Sequence, residues 1–210
     1  MTTIEHAMLG INGALSAGLY RRWGWQIVAL AGVAATSPDW DGIFMLSQSS
    51  ALVERHRVWG HNILACVLVG LLLGGADYYF DLITRSSRSF TRLMRLKVPD
   101  DSMMTRARFS TGGLAIWAAV AIVAAFSHLP ADMVVSGTDR LPDWEVQLLW
   151  PFSGQGWVFP LVPWGDVGIT IVFVAGMFAM ARWKSHVRAI AGATLLLMLA
   201  YIAIRPVFAA

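Results

Sequence analysis

The chain has almost no cysteine, little charge and few histidines. One cysteine, Cys66, stands among 210 residues, so an intramolecular disulfide is excluded. It lies inside an apolar run and leaves the redox compartment open. Charged residues make up 14% of the chain, and the net charge of +3 says less than the places where Lys and Arg gather. No secretory signal is expected, because Met1 to His6 carry no basic n-region and no cleavage site stands out after the first apolar run. There is no internal repeat and no low-complexity tract. Of the five histidines, His6, His56, His61 and His128 stand at or near the ends of apolar runs, and His186 stands in a basic stretch.

Apolar residues are abundant. They make up 57% of the chain, against roughly 45–50% in soluble domains. The mean hydropathy is +0.59. These values imply an integral membrane protein, all-α, a single polytopic helical bundle of four to six transmembrane helices. Residues 7–20 and Trp25–Thr36 are short apolar runs, the first rich in small residues that let backbones pack closely in a bundle. Arg21-Arg22 are expected to end the first. Ser37-Pro38-Asp39-Trp40-Asp41-Gly42 reads as an acidic turn, and 43–55 as a loop or surface helix. Asn62–Phe80 predicts a spanning helix, with Asp77 near its far end. Residues 81–110 read as a polar connection with seven basic residues. Thr111–Ser127 is the next apolar run and leads into His128-Leu129-Pro130-Ala131-Asp132. Residues 134–164 form an external loop rich in Trp, Pro and Gly. Val167–Ala181 and Ala189–Ile204 are the last two spans, joined by the basic stretch Arg182–Arg188.

The excess of Lys and Arg on cytoplasmic connections gives an orientation. Arg21-Arg22, the connection 81–110 and Arg182–Arg188 go inside, which gives six crossings. His6, Asp39, Asp41, His56, His61, His128 and Asp132 then share the outer side. They come from four separate regions and were not used to set the topology. Trp40, Trp59, Trp150, Trp157 and Trp164 fall on the outer interface. Trp23, Trp25 and Trp183 fall on the inner one.

This set has the chemistry of a metal site. Zinc and similar ions take imidazole nitrogen and carboxylate oxygen. Asp39 and Asp41, two apart in a turn, can both face one ion or bridge two. His56 and His61 are five apart, about 140° around a helix. His56 is therefore expected in the loop and His61 in the first helical turn, with Gly60 at the bend. His128 and Asp132, four apart, share a helix face, although Pro130 predicts a distortion or a new helix start. His6 could supply a further ligand. Arg57 could pair with a phosphoryl oxygen, and Arg57 and Asp41 are the expected catalytic residues. Taken singly, each has a structural reading: an acidic turn, interfacial histidines, a hydrogen-bonded His–Asp pair, a solvated near-terminal His. Together they are harder to explain that way, because polar groups at membrane depth are costly. His186 reads as solvated. The basic connection reads as a contact for anionic lipid heads, and no nucleic-acid partner is expected.

The ordered series His6, Pro38-Asp39-Trp40-Asp41, His56-Arg57-Val58-Trp59-Gly60-His61, Ser127-His128-Leu129-Pro130-Ala131-Asp132 and Leu148-Leu149-Trp150-Pro151-Phe152 resembles the YdjM-like, LexA-regulated membrane-bound metal-dependent hydrolases. The likeness covers residues 6–165. It implies a divalent-metal hydrolase of the bacterial inner membrane, with His6, Asp39, Asp41, His56, His61, His128 and Asp132 as ligands and zinc as the expected ion. Members of that family often carry His, Thr and Ser where this chain has Gly42, Gly60 and Asn62. A distant likeness of the family to zinc-dependent phospholipases C implies a phospholipid or phosphoester substrate. The loop 134–164 would wall the site, with Thr138 and Ser153 as further hydrogen-bonding candidates. The alternative from another class is a non-catalytic metal-binding membrane protein, a sensor or a transport component. A third reading leaves the polar residues scattered as loop stabilisers.

Overall fold

The computed structural model describes residues 1–47, 57–96, 109–137 and 144–208. The helices are α1 Thr3–Ser16, α2 Leu19–Trp23, α3 Trp25–Thr36, α4 Ile63–Phe80, α5 Leu82–Leu93, α6 Thr111–Val134, α7 Val167–Arg182 and α8 Val187–Ile204, with a 3-10 helix at Ser37–Ser47. Among the described residues there are no strands, only isolated bridges between Val135 and Val162 and between Val146 and Trp157. The all-α class follows from composition: long apolar runs cannot leave backbone polar groups unpaired in hydrocarbon, and a helix pairs them within one segment.

Local signals set the helix starts. Thr2 and Glu5 form a capping box at α1. Asn62 accepts from the Ala65 N–H at α4, Ser110 from Gly113 at α6, and Asp166 from Gly168 at α7. Helices α1 and α3, and α4 and α6, then pack antiparallel. Gly70 and Gly74 of α4 lie so close to α6 that a Cβ on either would come within 2.7 Å of the backbone of Ile122 or Ala118. Small residues of this kind let two helices approach where no water drives them together. The Cys66 thiol donates to the Ala125 carbonyl along the same seam. The α1 backbone meets α3 the same way, with Gly10 against Ala31.

The antiparallel order gathers four ends at one end of the bundle: the start of α1, the end of α3, the start of α4 and the end of α6. The loop after α6 closes over them. Ser136 N–H donates to the Val162 carbonyl, and Ile63 N–H donates to the Leu148 carbonyl. At the opposite end, buried Asp77 accepts from Trp117 Nε1 at 2.8 Å and from the Ile83 N–H at 2.7 Å. It thereby fixes the start of α5.

Among the described residues, three helical stretches are long and apolar enough to cross a membrane: Ile63–Phe80, Thr111–Val134 and Lys184–Val207. Val167–Arg182 is a shorter apolar helix. The 14 residues of α1 and 12 of α3 reach only about 21 and 18 Å, short of a hydrocarbon core of about 30 Å. The described residues thus offer three full-length candidates and one shorter apolar helix, which roughly supports the expected four to six spans and does not reach six full-length crossings. Other expectations also shift. The first run ends at Gly18, whose φ is +75°, and Arg21-Arg22 belong to α2. The first part of the supposed polar connection is the amphipathic helix α5, with Arg85, Arg88 and Arg92 spaced to share one face. Pro130 neither breaks nor restarts α6, which runs unbroken to Val134. The acidic turn is the start of a 3-10 helix. The stretches 48–56, 97–108 and 138–143 lie outside the described residues, and with them His56, Thr138 and most of the loop expected at 43–55.

Candidate metal centre

Asp39, His61, His128 and Asp132 each offer one ligand atom, and the four atoms lie within 4.8 Å of one another. His61 Nε2 is 3.6 Å from Asp39 Oδ1 and 3.4 Å from Asp132 Oδ2. His128 Nε2 is 3.4 Å from Asp39 Oδ1, 3.5 Å from Asp132 Oδ2 and 3.1 Å from His61 Nε2. Four donors held about 2.0–2.1 Å from a tetrahedral ion stand about 3.3–3.4 Å apart. Five separations in the set, 3.1 to 3.6 Å, lie near that spacing. Two imidazoles and two carboxylates also form a suitable donor set for such an ion.

The ring nitrogens are arranged for the task. His128 Nδ1 is 2.8 Å from the Ala35 carbonyl, which can only accept, so Nδ1 carries the hydrogen and Nε2 faces the centre with its lone pair. His61 Nδ1 donates to Asp41 Oδ2 at 3.3 Å. The same oxygen accepts from the Gly60 N–H at 2.9 Å. Asp41 thus stands behind His61 and orients it, as carboxylates do behind metal-binding histidines. Thr3, which no sequence motif marks, donates to Asp39 Oδ2 at 2.7 Å and turns Oδ1 inward.

Asp132 is held from its other side. His6 Nε2 donates to Asp132 Oδ1 at 3.0 Å, as does the Met1 amine. The His6 ring also stacks on His128, with centroids 3.4 Å apart. His6 therefore lies beside the four-atom set and braces two of its members. Arg57, fully buried, ion-pairs with Asp132 Oδ2 at 3.1 Å. Its Nη1 donates to Ser136 Oγ at 2.8 Å and to the Trp144 carbonyl at 3.0 Å, and the guanidinium sits 4.1 Å from the Trp144 ring centroid. It clamps the loop after α6 onto the centre. Ser153 accepts from the Gln155 N–H within its own turn.

The stretch before α4 differs in detail from the expectation. His61 precedes the Asn62 cap, one residue outside the first turn. The backbone bend falls at Arg57, whose φ is +69°. Gly60 is instead a point of close approach: a side chain there would overlap the Pro38 carbonyl. Asn62 caps α4, as a serine at that place could.

Buried carboxylates are costly unless compensated. Burial opposes the charge on Asp39, but bonds from His128, His61 and Thr3 outweigh it and hold its carboxyl well below the usual range. Burial likewise opposes charge on His61, but Asp132, Asp39 and Asp41 push it up to about 10. Asp39 and Asp132 face one point, with Asp41 one imidazole behind it, and together they draw positive charge there.

Beside the ligands lies a cavity of about 390 Å³, lined by Thr3, Asp39, Arg57, Asp132, Trp144 and Trp164 among others. Asp39 is the ligand with the most exposed side chain, at 18%.

Comparison with known proteins gives one family. The profile of the YdjM inner membrane protein family matches residues 1–210, the whole chain. No curated protein and no solved structure matches. An apolar helical bundle and a family match over its full length lead to the same conclusion: the chain belongs to the YdjM inner membrane protein family.

Proposed function

We propose that this chain is a metal-dependent hydrolase that cleaves a phosphoester, with a phospholipid or related lipid as substrate, at the outer face of the inner membrane. The observation that carries the reading is the cavity of about 390 Å³ beside Asp39 and Asp132. It gives the ligand set an approach from one side, where a purely structural centre would be sealed. A zinc-like ion there would supply Lewis acidity and activate water near neutral pH. His61 and His128 supply nitrogen donors, and Asp132 supplies an oxygen. Asp39, the most exposed ligand, is the one placed to yield to an incoming group. Asp41 keeps His61 in its orientation. Arg57 acts chiefly by holding Asp132 and the loop, and a phosphoryl oxygen would have to share its donors. Trp144 and Trp164 offer apolar walls for the non-reacting part of a substrate. Exposed Trp40, Trp59, Trp157 and Trp164 suit a site at an interface.

The test is zinc-loaded purified protein presented with phospholipid vesicles and with a soluble phosphodiester. Turnover should vanish on chelation, return with metal, and be absent in His61→Ala that still folds. A second reading, a non-catalytic metal-binding protein, draws on the full set of four protein ligands, which is typical of structural sites. Tight stoichiometric metal with no turnover of any phosphoester would favour it.

A further inference from the structure

We propose that the end of the bundle opposite the metal centre carries a second site, which takes the phosphate headgroup of an anionic glycerophospholipid. A cavity of about 640 Å³ lies between the α1–α2 turn and the α7–α8 turn. Arg21, Lys184 and Arg188 line it, together with Tyr20 and Ser185, and among the described residues its lining includes no carboxylate. Three cations and two hydroxyls are the donor set for an oxyanion.

Two features make this more than a basic surface. Arg188 is held in place, its Nε donating to the Ser16 carbonyl at 3.0 Å. Gly18, with φ +75°, turns the chain beside it, and the guanidinium lies 3.5 Å from where a side chain on Gly18 would begin. The frame is that of a membrane interface. Apolar α7 and α8 end here, Leu15 and Val187 join the lining, and Tyr20 and Trp183 stand exposed alongside. Basic pockets between the ends of membrane helices hold anionic headgroups in this way. A lipid, whose chains continue along apolar surface, fits better than a soluble phosphate. The site is independent of the metal centre and of any hydrolysis there.

The test is native mass spectrometry of the full chain, released from nanodiscs of mixed phosphatidylglycerol and phosphatidylcholine. The wild type should retain phosphatidylglycerol in preference to phosphatidylcholine. Release from the bilayer removes its general attraction for basic residues and leaves each charge that touches the retained headgroup worth about fivefold, so the double change Lys184→Gln with Arg188→Gln should lower retention about 25-fold. Arg85→Gln with Arg92→Gln removes the same charge from α5 and should change it less than about twofold. Lys184→Gln alone, expected to cost about fivefold, replaces the double variant should that one fail to fold. Equal loss in the α5 control would overturn the proposal, leaving only general attraction of basic residues to the bilayer. So would equal retention of both lipids, or displacement of the lipid by millimolar inorganic phosphate, which would make the site one for a soluble anion.

Discussion

The two ends of the bundle handle charge in opposite ways. At one end, Asp41, Arg57, His61, His128 and Asp132 are buried and bonded to one another. At the other, Arg21, Arg22, Lys184 and Arg188 are exposed. Both ends are polar in sequence and both lie at the tips of apolar helices. The difference is convergence. Four helix ends meet at the first, so their polar groups satisfy each other and leave water. At the second, the basic groups lie on short α2 and around the α7–α8 connection, where solvent and lipid heads can reach them. Charge buried by convergence is high in energy unless a partner completes it, whereas exposed charge is individually worth little.

The comparison breaks most clearly at the ligands. His128→Ala or His61→Ala should abolish stoichiometric binding of an added divalent metal, lowering affinity by about 100-fold or more, as metal analysis of the purified variant would show. Retention of a full equivalent by both variants would remove the metal centre from this end. Asp41→Asn, which meets His61 from behind and also accepts from the Gly60 N–H, should cost about 10–100-fold in metal affinity by competition with a chelating dye. An effect as large as that of losing His61 would make Asp41 a ligand.

Acidity sharpens the same contrast. His61 holds its proton up to about pH 10, so an ion must displace it to reach Nε2. Binding then releases a proton. Apparent affinity should therefore rise with pH, by up to about tenfold per unit, and weaken as pH falls. Calorimetry in buffers of different ionisation heat would count the protons, and a count of zero would contradict the charged His61.

Smaller effects test the packing. Gly60→Ala would push a methyl into the Pro38 carbonyl and should cost about 1–3 kcal/mol in thermal or denaturant unfolding. Gly75→Ala in α4 meets nothing within 4 Å and should be neutral or stabilising by about 0.5–1 kcal/mol. Similar losses at both would mean that the Pro38–Gly60 contact does not set the position of His61.

The sequence determined the material and the grouping of charge. Apolar runs required helices, the basic stretches fell at one set of helix tips, and the separation of His128 and Asp132 by four residues placed both on one face of α6. These are local properties of a chain in a medium without free hydrogen-bond partners. Tertiary structure decided the roles. Spacing alone could not show that Asp41 stands behind His61, that His6 braces Asp132, or that Arg57 spends its fork on Ser136 and Trp144. Nor could it show that Thr3 turns Asp39, because Thr3 has no motif around it. Those assignments depend on ångström-scale distances between four helix ends far apart in the chain, and packing such as the close approach of Gly60 to Pro38 sets those distances.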